Sequence, residues 1–161
     1  MVKEKSFTPE KIIDGAHNLV DSSYSLSKGQ ASSGKLDIVQ GCLENIEVAH
    51  SRLEGLSSDA KTKYRSEIGT IEEKIKDTRK YIGQTCLEAI NQNLSKFNEI
   101  ATKDVKKSKK DEAELALKNA IYAKLCIDKL GEGYTKLAEY GRLDTKLEIA
   151  QNKFKNTYSS K

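Results

Sequence analysis

The sequence predicts an all-α protein, and three observations support this prediction. The chain of 161 residues contains a single proline, Pro9, so no proline interrupts a helix beyond this position. Apolar residues recur three and four positions apart along nearly the whole chain, as on one face of a helix. No segment shows the alternation of apolar and polar residues that is typical of a strand. We therefore expect antiparallel helical hairpins made of four long helical stretches, broken into five or six helices, as a bundle or a short helical array.

The first predicted helix begins at Thr8, Pro9 and Glu10. Threonine can accept hydrogen bonds from free amides, proline suits the first helical position, and glutamate favours the positive end of the helix dipole. Gly29 is expected to end this helix in a left-handed conformation. Residues 1–7 lack the apolar core of a signal peptide and are expected to form a flexible N-terminus.

The second predicted helix runs from about Lys35 to Glu54, with Gly55 at the position of a C-terminal cap. Its apolar residues form two overlapping seams, which predict contact with more than one neighbouring helix. The two seams comprise Val39, Cys42, Ile46, Ala49, Leu53 and Leu56, and Leu36, Leu43 and His50.

The third stretch restarts at Ser57, and its apolar pattern continues to about residue 103. A single helix over residues 59–103 would be about 68 Å long, whereas a compact domain of this size has a radius of gyration of about 15 Å. Unless the protein is elongated, we expect this helix to break at Gly83 or at residues 91–93.

A polar, basic connector is predicted at residues 103–110, followed by a fourth periodic stretch from about Asp111 to Tyr158. Glycines offer breaks within it, at positions 131, 133 and 141. Residues 158–161 are expected to fray. The length of the chain favours one helical domain over residues 1–161.

Charge and cysteine content favour some classes of protein over others. The net charge is +4, and the excess of basic residues lies between positions 56 and 110. This positive charge is smaller than that of a dedicated nucleic-acid binder. The three cysteines, Cys42, Cys86 and Cys126, occupy apolar helical positions and indicate buried thiols and a cytoplasmic location. No segment is long and apolar enough to predict a membrane span or a membrane partner.

One segment, residues 127–157, resembles a single tetratricopeptide repeat. The residues that carry the resemblance are Ile127, Leu130, Gly131, Tyr134, Leu143, Leu147 and Ala150, although three of them are only apolar substitutes for the family's larger or smaller residues. The resemblance implies a helical hairpin with a peptide-binding groove, whose candidate residues are Asp128, Glu132, Lys136 and Tyr140. The alternative interpretation is an ordinary antiparallel helix pair, since no second copy lies upstream.

Two short patterns could hold a metal ion. Glu47 and His50, and likewise Asp14 and His17, lie three residues apart and would share a helical face. Two such units occur in ferritin-like di-metal bundles, which would imply a metal-binding enzyme. The alternative is a partly buried His50 and an exposed His17 without a metal, and we predict no cofactor.

The lysines of the connector are the candidate anion-binding residues. They are Lys103, Lys106, Lys107, Lys109 and Lys110. No aromatic residue lies among them to stack on bases, and neighbouring acidic residues weaken their field, so a solvated connector is the alternative.

The sequence therefore predicts a non-enzymatic helical module for protein interaction or self-assembly. A protein or peptide partner is expected, including a second copy of the chain, and a nucleic-acid partner is the less favoured alternative. Tyrosines crowd the last 40 residues, at positions 122, 134, 140 and 158. They are equally consistent with an interface and with the edges of a core that lacks tryptophan.

Overall fold

The computed structural model describes residues 8–31, 33–102, 109–130 and 138–158, with the side chains of 102 and 138–140 excepted. Over these ranges it contains helices and no strand, which confirms the all-α class. Within them, the six helices are α1 (Pro9–Gly29), α2 (Leu36–Glu54), α3 (Ser58–Lys63), α4 (Arg65–Thr102), α5 (Lys110–Asp128) and α6 (Ala138–Tyr158). The predictions for residues 1–7, 103–108, 131–137 and 159–161, which include the breaks at Gly131 and Gly133 and the role of Tyr134, lie outside the described residues.

Packing divides the chain into two compact units. The first contains α1, α2 from Asp37 onwards, α3 and the part of α4 that ends at Ile82. The second contains residues 33–36, the rest of α4, α5 and α6. Helix α4 is therefore an element of both units. That the whole chain behaves as one domain stays a prediction.

In the first unit, α1 and α2 form an antiparallel hairpin. The Cys42 thiol donates a hydrogen bond to the Ser23 carbonyl oxygen at 3.7 Å. Towards the other end of the pair, a methyl group at Gly15 would lie 3.7 Å from the guanidinium of Arg52. Gly15, early in α1, therefore lies near Arg52, late in α2, whereas Ser23, later in α1, lies near Cys42, earlier in α2. This is the order that antiparallel helices require.

Helix α4 runs parallel to α1 within this unit. The Lys74 ammonium donates a hydrogen bond to the Asp21 carboxylate, and further along both helices the rings of Tyr24 and Tyr81 pack edge to face, 5.9 Å apart. The hydrogen bond from Lys74 lowers the pKa of Asp21, although partial burial opposes this effect. The three long helices of the first unit, α1, α2 and α4, thus alternate in direction.

The second unit repeats this alternation with other helices. Cys126 near the end of α5 contacts Cys86, which lies well before the end of α4. Lys124 near the end of α5 binds Asp144 near the start of α6, with 2.8 Å between Nζ and Oδ1. Both pairs of consecutive helices are therefore antiparallel hairpins, as the sequence predicted.

Two predicted helix starts are confirmed by their hydrogen bonds. The Thr8 hydroxyl accepts from the amide of Lys11 at 3.3 Å, and the Ser57 hydroxyl accepts from the amide of Ala60 at 3.1 Å. Each satisfies an amide that has no partner inside its helix.

The predicted break of the third stretch at Gly83 or residues 91–93 is wrong. Helix α4 is continuous through both places, and the stretch is interrupted instead at Tyr64, between α3 and α4. A glycine inside a helix costs only about 1 kcal/mol relative to alanine. Gly83 lies in a run, residues 81–90, that has no exposed member, so packing stabilises the helix more than the glycine weakens it.

The prediction for the end of α1 is partly wrong. The helix does end at Gly29, but the residue that follows, Gln30, has φ −110° and its amide returns to the Leu26 carbonyl oxygen at 3.1 Å. Within the described residues, the glycine with positive φ is Gly34, at 75° in the α1–α2 connection. The chain therefore reverses later than predicted.

No helix within the described ranges is both long and apolar enough to cross a lipid bilayer.

We predict that Gly34→Ala destabilises the protein by about 1 kcal/mol, because an L-residue is strained at this φ. Gly41→Ala is the matched control, since a methyl group there meets nothing within 4 Å and removing a helical glycine should stabilise by up to about 1 kcal/mol. Urea denaturation of both variants measures the two effects, and equal effects would contradict the conformation of Gly34.

We also predict that Leu53→Asp destabilises the protein by at least about 3 kcal/mol, because it removes a buried side chain and buries a carboxylate. Leu53 is 3% exposed. Val48 on the same helix is exposed, so Val48→Asp should change the unfolding free energy by less than about 1 kcal/mol. Thermal melts that rank the two variants in the opposite order would contradict the assignment of the buried face of α2.

Candidate functional site

The outward face of α5 carries large apolar side chains in a regular row. Leu115 is 57% exposed, Tyr122 38% and Leu125 54%. The same helix buries its opposite face, where alanine predominates: Ala113, Ala116, Leu117, Ala120, Ala123, Cys126 and Ile127. Helix α5 is therefore apolar on two sides, and only one of them is covered.

Charged residues complete this row at the helical spacing of three and four. We call the set Asp111, Leu115, Lys118, Tyr122, Leu125 and Lys129 the outer stripe. Lys118, near its centre, is 70% exposed and forms an ion pair with Glu114 at 3.6 Å. Asp111 and Lys129, at its two ends, are also exposed. The stripe thus presents leucines between end charges of opposite sign.

Exposed apolar residues elsewhere are more isolated. Leu26 on α1, Val48 on α2 and Ile149 on α6 are each exposed, and on each of these helices the structure describes no second large exposed apolar side chain. Single exposed apolar residues are normal on protein surfaces, whereas a contiguous set marks an interaction surface. The outer stripe is therefore the candidate site.

Two thiols lie behind the stripe, and one of them contacts its Tyr122. The Cys86 thiol is hydrogen-bonded to Cys126, and this bond together with burial raises the pKa of Cys86. The same bond lowers the pKa of Cys126, opposed by burial and helped by the Tyr122 hydroxyl. Both cysteines are almost inaccessible, so the pair packs the core of the second unit, and the buried location predicted for all three cysteines is confirmed.

The two candidate metal-binding histidines have acidic partners one helical turn away. His17 Nε2 lies 2.9 Å from the Asp21 carboxylate, which also binds Lys74. His50 Nε2 lies 3.9 Å from the Glu54 carboxylate. Each histidine therefore faces a residue four positions later in the chain rather than the acidic residue three positions earlier.

The other candidate metal residues do not gather around these histidines. Asp14 and Glu47 are exposed. Within the part of the chain that the structure describes, no three His, Cys, Asp or Glu side chains are grouped so that they could hold a metal ion. The alternative without a metal also needs correction, because the two histidine side chains are similarly exposed, 44% for His17 and 47% for His50, so His50 is not the more buried of the two.

Of the residues implied by the tetratricopeptide resemblance, Asp128 is described in full. It is half-buried and accepts from Lys124 at 3.5 Å, and the Lys124 side chain, only 13% exposed, also binds Asp144 of α6. Asp128 therefore shares Lys124 with Asp144, and the α5–α6 ion pair itself is formed by Lys124. Glu132 and Lys136 lie outside the described residues, as does the side chain of Tyr140, whose backbone belongs to α6.

The lysine cluster is described only at its end. Lys103, Lys106 and Lys107 lie outside the described residues, whereas Lys109 and Lys110 are exposed at the start of α5. Lys109 forms an ion pair with Glu112 at 3.2 Å. An acidic side chain thus competes with any anion at the described end of the connector.

Two open grooves complete the surface features. One, of about 290 Å³ in the first unit, is lined by His50, Glu72, Ile75, Lys76 and Arg79. The other, of about 360 Å³ in the second unit, is lined by Asn91, Leu94, Ser95, Asn98, Lys146, Ile149 and Ala150. Both are open surface depressions, and neither has the enclosed apolar walls that are typical of small-molecule sites.

The sequence drew attention to Tyr122 but not to Leu115 and Leu125. The periodicity of this stretch is carried most clearly by Leu117, Ala120 and Ile127, and these residues form the buried face of α5. The signal for the stripe was present in the spacing of Leu115, Tyr122 and Leu125. Tyr158, in contrast, is half-buried and packs on Phe154 with 5.1 Å between ring centroids, so it lies at the edge of a core.

The chain matches no protein-family model, no curated protein and no solved structure.

We predict that the three native thiols react slowly with a water-soluble disulfide reagent and that all three react at once in guanidinium chloride, because labelling requires local unfolding. Leu125→Cys is the positive control, since this position lies on the exposed face of the same helix. Rapid labelling of the wild-type protein in buffer would contradict the burial of Cys86 and Cys126.

Proposed function

We propose that the protein is a non-enzymatic helical interaction module that binds a protein partner through the outer stripe of α5. The observation that carries this proposal is the exposure of Leu115, Tyr122 and Leu125 on one face of one helix. The sequence favours a function in protein interaction or self-assembly, and the outer stripe is the surface that we propose for it.

The energetics of the exposed side chains support this assignment. Burying a leucine side chain contributes about 1.5 to 3 kcal/mol, and a tyrosine adds a large ring with a polar edge, which is why tyrosine is enriched at interfaces. A partner that covered the stripe would remove all three side chains from water without unfolding the buried face of α5.

We also propose a cytoplasmic location. The three cysteines are free thiols, and free thiols persist in a reducing compartment.

Site-specific photocrosslinking tests the proposed function. A benzophenone amino acid that replaces Lys118, near the centre of the stripe, should give a protein adduct in cells that express the full chain. The same probe in place of Glu148, an exposed residue of α6, is the control and should give none.

The adduct at position 118 should also depend on the neighbouring leucine. Leu125→Glu should reduce the yield of this adduct about tenfold or more, because losing a buried apolar contact should weaken the binding free energy by more than about 1.4 kcal/mol. Leu26→Glu on α1 should leave the yield unchanged. Equal yields from positions 118 and 148, or no adduct at 118, would overturn the proposed function.

A further inference from the structure

We propose that the partner of the outer stripe is a second copy of this chain, bound by antiparallel α5–α5 packing about a twofold axis at the level of Ala120. This inference rests on the proposed function and specifies its partner. It follows from the order of charged and apolar residues along the stripe, taken with their exposure.

The spacing of the stripe is that of a coiled-coil seam. Its residues, Asp111, Leu115, Lys118, Tyr122, Leu125 and Lys129, are separated by four, three, four, three and four positions. This alternation keeps one narrow face of a helix in contact with a partner helix. The exposed apolar residues of the stripe are therefore spaced to contact a partner helix rather than an extended peptide.

The stripe is complementary to itself in the antiparallel direction. A twofold axis at position 120 places residues whose numbers sum to 240 opposite each other. Leu115 then packs on the partner's Leu125, and Tyr122 meets the partner's Lys118, as an ammonium group over a ring. Each of these contacts occurs twice, because a twofold interface repeats every pair.

The charged ends of the stripe also match. Asp111 lies opposite the partner's Lys129, and the second copy of this pair closes the other end of the contact. Both residues are exposed in the structure. The leucine layers are thus flanked at both ends by opposite charges.

A parallel arrangement lacks this complementarity. It would set Asp111 opposite the partner's Asp111, Lys118 opposite the partner's Lys118 and Lys129 opposite the partner's Lys129. Like charges face to face disfavour this arrangement, so the charge order selects the antiparallel direction.

The contact is small, which predicts a weak and concentration-dependent dimer. Helix α5 has 19 residues, and at 1.5 Å per residue it is about 28 Å long. A single helix pair of this length buries an area at the low end of specific interfaces. We therefore expect monomer and dimer to exchange between about 1 µM and about 1 mM.

Sedimentation velocity of the full chain over this concentration range, at low salt, tests the pairing. The wild-type protein should form dimers, and Asp111→Lys should raise the dimer dissociation constant about threefold to thirtyfold, because two symmetric ion pairs become repulsive. Lys129→Asp should have a similar effect. The double variant with both changes should return towards the wild-type constant, since the opposite charges again face each other.

The double variant separates association from folding. Its exchanged charges at positions 111 and 129 oppose the helix dipole at both ends of α5, so its thermal stability should be the lowest of the four proteins while its dimerisation recovers. Asp77→Lys, at an exposed site on α4, is the charge control and should leave the dissociation constant unchanged. Single variants that weaken association without recovery in the double variant would overturn the antiparallel register.

Other outcomes distinguish this inference from the proposed function. Monomeric protein up to about 1 mM would overturn self-pairing, and an adduct at position 118 to a different protein would then leave the proposed function standing. Dimers that persist in both Leu115→Glu and Leu125→Glu would place self-association elsewhere and overturn the inference. A monomer that also gives no adduct at position 118 would overturn both proposals.

Discussion

Helix α4 is the constraint on which the rest of the structure depends. Its hydrogen-bonded backbone runs without interruption from Arg65 to Thr102, and its side chains enter the cores of both units. Ile71 and Ile75 are buried in the first unit, and Ile90 and Phe97 are buried in the second. Within each unit the long helices alternate in direction, because short connections return each following helix along the opposite direction.

The fold class and most helix boundaries could be predicted because their causes are local. Thr8 and Ser57 bind amides three residues away, and such hydrogen bonds need no information about distant packing. The continuity of α4 could not be predicted in this way. Gly83 weakens a helix locally, but its effect is outweighed by the burial of its neighbours, and a single sequence does not show which neighbouring helices will cover it.

The candidate site was predicted less well, for a related reason. A three-and-four spacing marks a face of a helix, but it does not say whether that face meets the core or the solvent. On α5 both the alanine-rich face and the outer stripe have this spacing, and only the structure distinguishes Ala120, which is fully buried, from Leu125, which is largely exposed. Small residues at the buried positions allow close approach of neighbouring helices, whereas the larger leucines lie outside.

Asp128 shows how a residue with an apparent binding role can have a structural one. Lys124 contacts Asp128 on its own helix and Asp144 on α6. Because its side chain is mostly enclosed, removing either carboxylate would leave the ammonium with fewer partners in a poorly solvated place. The ion pairs of Asp128 and Asp144 with Lys124 therefore help to hold α5 and α6 together.

The second half of α4 depends on its neighbours in the second unit. If α5 and α6 were absent, residues 83–102 would form a helix of about 20 residues with an apolar side in water, and isolated helices of that length are only marginally stable. Ile90 and Phe97, which are now fully buried, would then be exposed. A chain truncated before α5 should therefore unfold in this segment and aggregate through it.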